Sequence, residues 1–477
     1  MELIIRPLIN YHTKRLIVLA SVMSVLFFVS YHYRDNGCSV PVWEGCVTAY
    51  NIYKYNSIFY WYDGLLACKN YEIVPTVSTT GEVVSNHPVV ETIGWSVVAG
   101  LLWKLFRCPS MLIMQVFTIL LFILSILYLY RVLYYLFESY GVAYFACMGV
   151  CLFFPLVFTI VQGRKDVAAY VGIILIGYLI LDTLYRTKNL YKFTVGGFLF
   201  ALIQYVRSPL FAILCLVLVM LLVAYFYEKK NIYVYMICIL AVTNIAGYWV
   251  PLFTYNKTYY DRYFVGPTGH ALLTSLGEYE NPWGAKPDDS WCQAFVITHK
   301  NPEKPYGTPE FDDEAKQLFW GIFKENPGYY FKCVGKRIKK LLFINLSRMT
   351  YRTEIYDQCL SFYHKCRRAL EDPKKALGDP WILFNFFPRV LYMRLFLLLG
   401  YCGMFCLFLQ RRYKILLMLG LILADMPIVI LSHIEDRYVI VHYWIFGIFA
   451  GYFVNFLVQK YRERKNKNIK EGKLVWS

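Results

Sequence analysis

Charged side chains are scarce: they make up 17% of the 477 residues, where a soluble domain carries about 25%. That shortage excludes an ordinary soluble chain. Acidic residues are scarcer than basic ones, 32 Asp and Glu against 49 Lys and Arg. No Cys-x-x-Cys pair or Cys/His cluster with metal-ligand spacing occurs, so no metal site is read, and many of the 14 cysteines lie in apolar runs as small hydrophobes. No tandem repeat is present, and no low-complexity tract apart from a basic tail. The first apolar run, 16–29, lacks a small-residue cleavage site and continues into "SYHYRDNG", which predicts a retained helix with a cytoplasmic N-terminus.

What is abundant is apolar and aromatic: 58% hydrophobic residues, 43 Tyr and 35 Phe. The apolar residues come in runs long enough to cross a bilayer, which takes about 20 residues of helix. Further spans are expected at 110–130, 142–161, 167–185, 193–206, 210–227, 232–253, 390–409, 415–431 and 439–458. The fold class is therefore an all-α polytopic membrane protein of about ten transmembrane helices. The segment 89–106 ("VVETIGWSVVAGLLWKLF") reads as an interfacial helix, since counting it as a span reverses every later orientation.

The net charge of +17 would suggest nucleic acid on a soluble protein. Here the basic residues lie in short loops such as "RTKNLYK", "EKKN" and "QRRYK" and in the tail, so topology explains them and no nucleic acid is expected. With both termini cytoplasmic, 1–253 is a transmembrane module with a long outer loop at 31–109. Residues 254–389 form a mixed extracytoplasmic domain, helical over 310–346; 390–458 hold the last spans, and 459–477 the basic tail. The basic run "CVGKRIKKLLF" reads as lying on anionic headgroups or near a donor phosphate.

Four charged clusters share the outer face: Asp63 in "FYWYDGLL", Arg164-Lys165-Asp166, Arg207 in "VRSP", and the turn "SHIEDRY" with Arg437. An isolated carboxylate beside several cations suits a transfer with an anionic leaving group. The carboxylate accepts a hydroxyl proton, and the cations hold a phosphate. Most charged turn residues only meet water or anchor helices, and Lys165, His433 and Glu435 are read that way. Asp182, inside an apolar run, is read as a partner for Arg186.

Asp63-Gly64, then Tyr71, then "SNHPVVETIGW" with His87-Pro88, then Arg164-Lys165-Asp166, "GHALLTSLGEYENPWG" and "EDRYVIVHYW" follow one another in the order of the spans. In that order the chain resembles the GT-C membrane glycosyltransferases, which include protein O-mannosyltransferases and lipid A aminoarabinose transferases. It departs from them at Val89 and Val441, where relatives often carry proline. The resemblance implies an enzyme that moves a sugar from a polyprenyl-phosphate donor to a hydroxyl of a lipid, glycan or protein acceptor, with inversion. It implies Asp63 as the base, and Arg164 with Arg207 or Arg437 on the donor phosphate. Asp166, His87, Glu91, His270 and Glu278 would line the substrate cavity. No cofactor is required, and a divalent metal stays open. A bacterial inner membrane is the expected location, with the ER membrane as the alternative. An O-antigen-type polymerase or ligase, and a lipid-linked sugar flippase, are the competing readings; the long Asp-bearing first loop and the lack of two related halves count against them.

Overall fold

The structure, a computed structural model, describes residues 11–34, 45–56, 61–62, 66–69, 72–75, 83–84, 90–163, 165–206, 210–260, 268–286, 289–300, 309–342, 387–423, 426–431 and 442–470. These are overwhelmingly helical. The strands among them are four short ones in the first loop: β1 (Trp61–Tyr62) pairs antiparallel with β4 (Val83–Val84), and β2 (Leu66–Lys69) with β3 (Glu72–Pro75). The same loop contributes α2 (Gly45–Tyr55) and α3 (Val90–Phe106), after the first helix α1 (Tyr11–Arg34).

Five helices are long and apolar enough to cross a membrane: Tyr11–Val29, Met111–Phe137, Val167–Thr187, Leu210–Glu228 and Asn231–Tyr255. They are α1, α4 (Met111–Phe137), α7 (Val167–Asp182) with a π-turn to Thr187, α9 (Leu210–Glu228), and α10 (Asn231–Asn244) running through a second π-turn into α11 (Val250–Tyr260). A sixth arises if α5 (Tyr140–Cys151) and α6 (Phe154–Val161), bent by 59°, count as one span. The chain is thus an apolar-helix protein compatible with integral membrane insertion.

Two expected spans are interrupted and a third carries a π-turn, each near a proline. Pro155 cannot donate a backbone hydrogen bond, and its ring clashes with the carbonyl four residues back, so 142–161 is two helices rather than one. Pro251 follows the π-turn Ile245–Trp249, where the ladder is widened. The run 415–431 is α17 (Tyr413–Gly420), a 3₁₀ turn at Leu421–Leu423 and α18 (Met426–Leu431), which contains Pro427. The helix expected at 193–206 is α8 (Leu190–Gln204); its 15 residues reach only about 22 Å at 1.5 Å each, short of a bilayer core.

The module is held by close backbone approaches. In α19 (Ile445–Lys470), Gly447 and Gly451 lie against the α5 backbone at Gly149 and Phe145, while α16 (Phe387–Leu409) meets α19 through Gly403 at Phe449. A Cβ at Gly149 would collide with the Gly447 carbonyl. Small residues permit such contact where no hydrophobic effect drives helices together. Gly149→Leu should therefore lower the yield of folded protein in detergent, and Gly149→Ala less so, for strain of about 1–3 kcal/mol. Gly177→Ala, on α7 with open space around it, should match wild type in the same size-exclusion assay.

Asp182 does not take Arg186 as its partner. It is buried and accepts from Lys192 Nζ at 2.6 Å, Tyr135 Oη at 3.2 Å and Thr187 Oγ1 at 3.3 Å. After the π-turn Thr183–Thr187 the chain reverses at Lys188, which adopts the left-handed conformation, so that Lys192 at the start of α8 reaches the end of α7.

Residues 254–389 were expected to form a mixed domain; their described part holds helices joined by irregular chain at 279–286, and no strand. It comprises the end of α11, then α12 (Thr268–Thr274), a 3₁₀ turn at Ser275–Glu278, α13 (Asp289–Lys300), α14 (Pro309–Glu325) and α15 (Pro327–Leu342). Leu273, Leu276, Val296, Phe311, Phe319 and Tyr330 form its own core. Cys292 and Cys333 are buried there, their thiols donating to the His270 and Leu276 carbonyls. The expected helical stretch at 310–346 is present as the α14–α15 hairpin up to Leu342.

Candidate functional site

Asp63, His87, Arg164, Arg207 and Arg437 lie outside the described residues, and Glu91 is described by its helical backbone alone. The residues flanking them are placed, and several converge. In the β1–β4 ribbon Trp61 pairs with Val84 and Tyr62 with Val83. Chain that leads directly to Asp63 therefore lies beside chain that leads, three residues later, to His87. The ribbon touches α2, and α2 packs along α3, the helix that carries Glu91.

Near its start α3 is fastened to the end of α8, where Gly94 N donates to Tyr205 O at 3.2 Å, two residues before Arg207. A Cβ at Gly94 would strike the Tyr205 backbone, so only glycine admits this approach. One buried cluster joins Trp95 and Trp103 of α3, Met111 and Met114 of α4, Val161 and Ala168 on either side of the Arg164–Asp166 turn, and Val206 beside Arg207. Trp103 Nε1 fixes the α3–α4 corner by donating to Ser110 O at 2.9 Å. Segments flanking Asp63, His87, Glu91, Arg164, Asp166 and Arg207 thus belong to one assembly.

Asp166 itself is buried at the head of α7, where its carbonyl accepts from Ala169 N at 3.1 Å. A carboxylate there faces the positive end of the helix dipole. Two further residues enter that the sequence did not single out. The Gln115 amide and Trp95 Nε1 are buried without a hydrogen-bond partner among the described residues. Gln115 adjoins Gly163, next to Arg164. Buried polar groups are normally satisfied, so these two mark a polar spot inside the otherwise apolar cluster. Glutamine in an apolar run was the available signal.

His270 and Glu278 do not join this assembly. His270 is buried on α12, and Glu278 ends the 3₁₀ turn that follows. Their position is set by Asp312 of α14, a buried carboxylate that accepts from the Gly269 and His270 amides at 2.5 and 3.2 Å and from Lys316 Nζ at 2.7 Å. Those amides are orphans at the helix start, and Asp312 satisfies them from another helix. Asp312→Ala should destabilise this helical unit by about 2–4 kcal/mol, seen as faster limited proteolysis within 268–342.

Glu278 borders an open groove of about 670 Å³, lined also by Tyr279, Glu280, Lys286, Lys332 and Lys336. Lys332 and Lys336 project from α15 over the Tyr279 ring, 4.8 and 4.0 Å from its centroid, and Lys336 donates to the Glu278 carbonyl. Tyr329 donates to the Leu276 and Tyr279 carbonyls at 2.8 and 3.1 Å, and burial raises its phenol pKa. The groove combines cations, carboxylates and an aromatic face.

The unit is docked on α18 and the chain just before α19 through α15. Arg337, fully buried, donates from Nε to Ile430 O and from Nη1 to Ser275 O, both at 2.6 Å. Tyr330 donates to Leu431 O at 2.6 Å, and Tyr443 to Leu341 O. Burial lowers the Arg337 pKa, with the charge of Glu278 opposing that shift. No group of His, Cys, Asp and Glu able to hold a metal occurs among the described residues.

Compared with protein-family models, curated proteins and solved structures, the chain matches none.

Proposed function

We propose that this chain is a membrane glycosyltransferase of GT-C type, moving a sugar from a polyprenyl-phosphate donor to an acceptor hydroxyl at the extracytoplasmic face. The single observation that carries this reading is the assembly described above. The ribbon and α3 of the first loop are fastened to the chain beside Arg164, Asp166 and Arg207. Residues separated by more than a hundred positions in sequence are thereby held around one place at the ends of the spans.

The chemistry follows from the residue types. Asp63 removes the proton of the acceptor hydroxyl as its oxygen attacks the anomeric carbon. Arg164 and Arg207 carry the charge of the departing polyprenyl phosphate, as guanidinium groups do by bidentate hydrogen bonds. Attack opposite the phosphate inverts the anomeric configuration. His87 and Glu91 line the site from the first loop. Asp166 orients Arg164, and Arg437 is the alternative to Arg207 on the phosphate. Gln115 adds an amide at the same place. The groove beside Glu278 suits the acceptor, since Tyr279 offers a face for a sugar ring and Lys332 and Lys336 meet an anionic substituent.

Membranes containing the protein, offered a panel of radiolabelled polyprenyl-phosphate sugars, should move label from one of them onto an endogenous acceptor. If no donor is consumed, the polymerase or flippase reading takes its place.

A further inference from the structure

The helix α15 has three surfaces with different tasks. Its inner face, with Tyr330, Cys333 and Arg337, is buried. At about 100° per residue, Lys336 lies on one flank, about 100° from Arg337, and borders the groove. Phe331 and Ile338 lie on the other flank, about 100–120° from Arg337 in the opposite sense, and are 61% and 42% exposed. Neither the docking nor the groove uses this second flank.

It continues onto α14. Phe323 stands 6.2 Å from Phe331 and 5.3 Å from Trp320, ring centre to ring centre, and Trp320 is itself 48% exposed. The exposed large apolar residues described in the helical unit are Trp320, Phe331, Ile338 and, on α13, Ile297. Three of the four thus sit on this one ridge, and a contiguous exposed apolar ridge marks an interaction surface. Lys324 and Lys339 border it, and α15 contains five basic residues and no acidic one.

The position of α15 selects the partner. Its hydrogen bonds to Leu431, Ile430 and Tyr443 are made from Tyr330, Arg337 and Leu341, spread over eleven positions, or about 16 Å of helix. The helix therefore lies along the ends of apolar helices instead of standing away from them. Leu431, bonded to the neighbour of Phe331, is also exposed, so the ridge adjoins the apolar surface of the membrane module.

We infer that the Trp320–Phe323–Phe331–Ile338 ridge of the α14–α15 hairpin rests in the headgroup layer of an anionic bilayer, with Lys324 and Lys339 on the lipid phosphates. Tryptophan and phenylalanine beside lysine match the chemistry of that layer. The basic excess favours anionic headgroups. This surface is independent of the glycosyltransferase reading, because it needs no sugar donor.

The test uses the full chain in nanodiscs of phosphatidylcholine, with or without phosphatidylglycerol, containing lipids brominated near the headgroup. The difference between wild-type and Trp320→Phe emission isolates Trp320. Its emission should fall about twofold with brominated lipid, more strongly in anionic discs, and resist aqueous iodide. Lys324→Gln with Lys339→Gln should remove the dependence on anionic lipid. Quenching by iodide but not by brominated lipid overturns the inference, as the ridge then faces water. Quenching by neither overturns it too, as protein then covers the ridge. Equal quenching in neutral and anionic discs overturns the anionic preference. Hydroxyl-radical oxidation of Trp320 and Phe331 in the wild-type chain reads the same ridge without any variant: low in anionic nanodiscs as proposed, solvent-like if it faces water.

Discussion

Asp63→Asn should reduce sugar transfer by about 100- to 10,000-fold while leaving protein level and donor affinity nearly unchanged. The carboxamide matches the carboxylate in size but cannot accept the proton of the attacking hydroxyl, so the loss falls on turnover. A residue acting through donor binding would raise KM instead. Tyr62, the residue before Asp63, is held by its own pairing with Val83 in the ribbon. Steady-state transfer with varied donor separates the two effects. A variant as active as wild type would leave the enzyme class standing and place the base elsewhere, with Glu91 of α3 next to be tried.

Arg337→Ala should release the helical unit from the membrane module. The guanidinium satisfies one carbonyl of the 3₁₀ turn and one of α18, both at 2.6 Å, in a fully buried position. Its removal leaves those two acceptors without their donor, at about 1–3 kcal/mol each. A cavity of guanidinium size adds to that cost. Arg337→Lys should not restore the junction, since one ammonium cannot present two donors in the fixed fork that reaches Ser275 and Ile430 together. The measurement is limited proteolysis of the intact protein in nanodiscs. Cleavage near 343–386 or 432–441 should accelerate at least about tenfold in both variants, the rate equivalent of about 1.4 kcal/mol. Unchanged cleavage would mean that Tyr330 and Tyr443 suffice to hold the unit.

How much of this was legible in the sequence depended on which physical signal carried each element. Helices α1, α4, α7, α9 and α10 announce themselves because twenty consecutive apolar residues have few other uses. The α14–α15 hairpin was legible from its amphipathic period. The irregularities near Pro155, Pro251 and Pro427 were missed, although each proline removes a ladder bond. Hydropathy alone runs through them, as apolar content is blind to the missing N–H. Helix α2 was missed: "GCVTAYNIYKY" is short, and its helicity rests on packing against α3. The pairing of Asp182 with Lys192 was hidden because Lys192 belongs to the next helix and reaches back only through the reversal at Lys188. The candidate site was legible as residue types on one face. Its assembly was not, because the ribbon register and the Gly94–Tyr205 contact are long-range facts that no local pattern encodes. Gln115 and Trp95 stayed hidden for the same reason: a missing hydrogen-bond partner is visible only once neighbours are in place.

The most direct measurement is the fate of the lipid carrier in a single turnover by purified protein in nanodiscs, with doubly labelled polyprenyl-phosphate sugar and an acceptor. A glycosyltransferase of the proposed kind releases polyprenyl monophosphate in a one-to-one ratio with sugar joined to the acceptor. Donor left intact would contradict that reading, and donor moved across the bilayer with its sugar–phosphate bond unbroken would in addition identify a transporter.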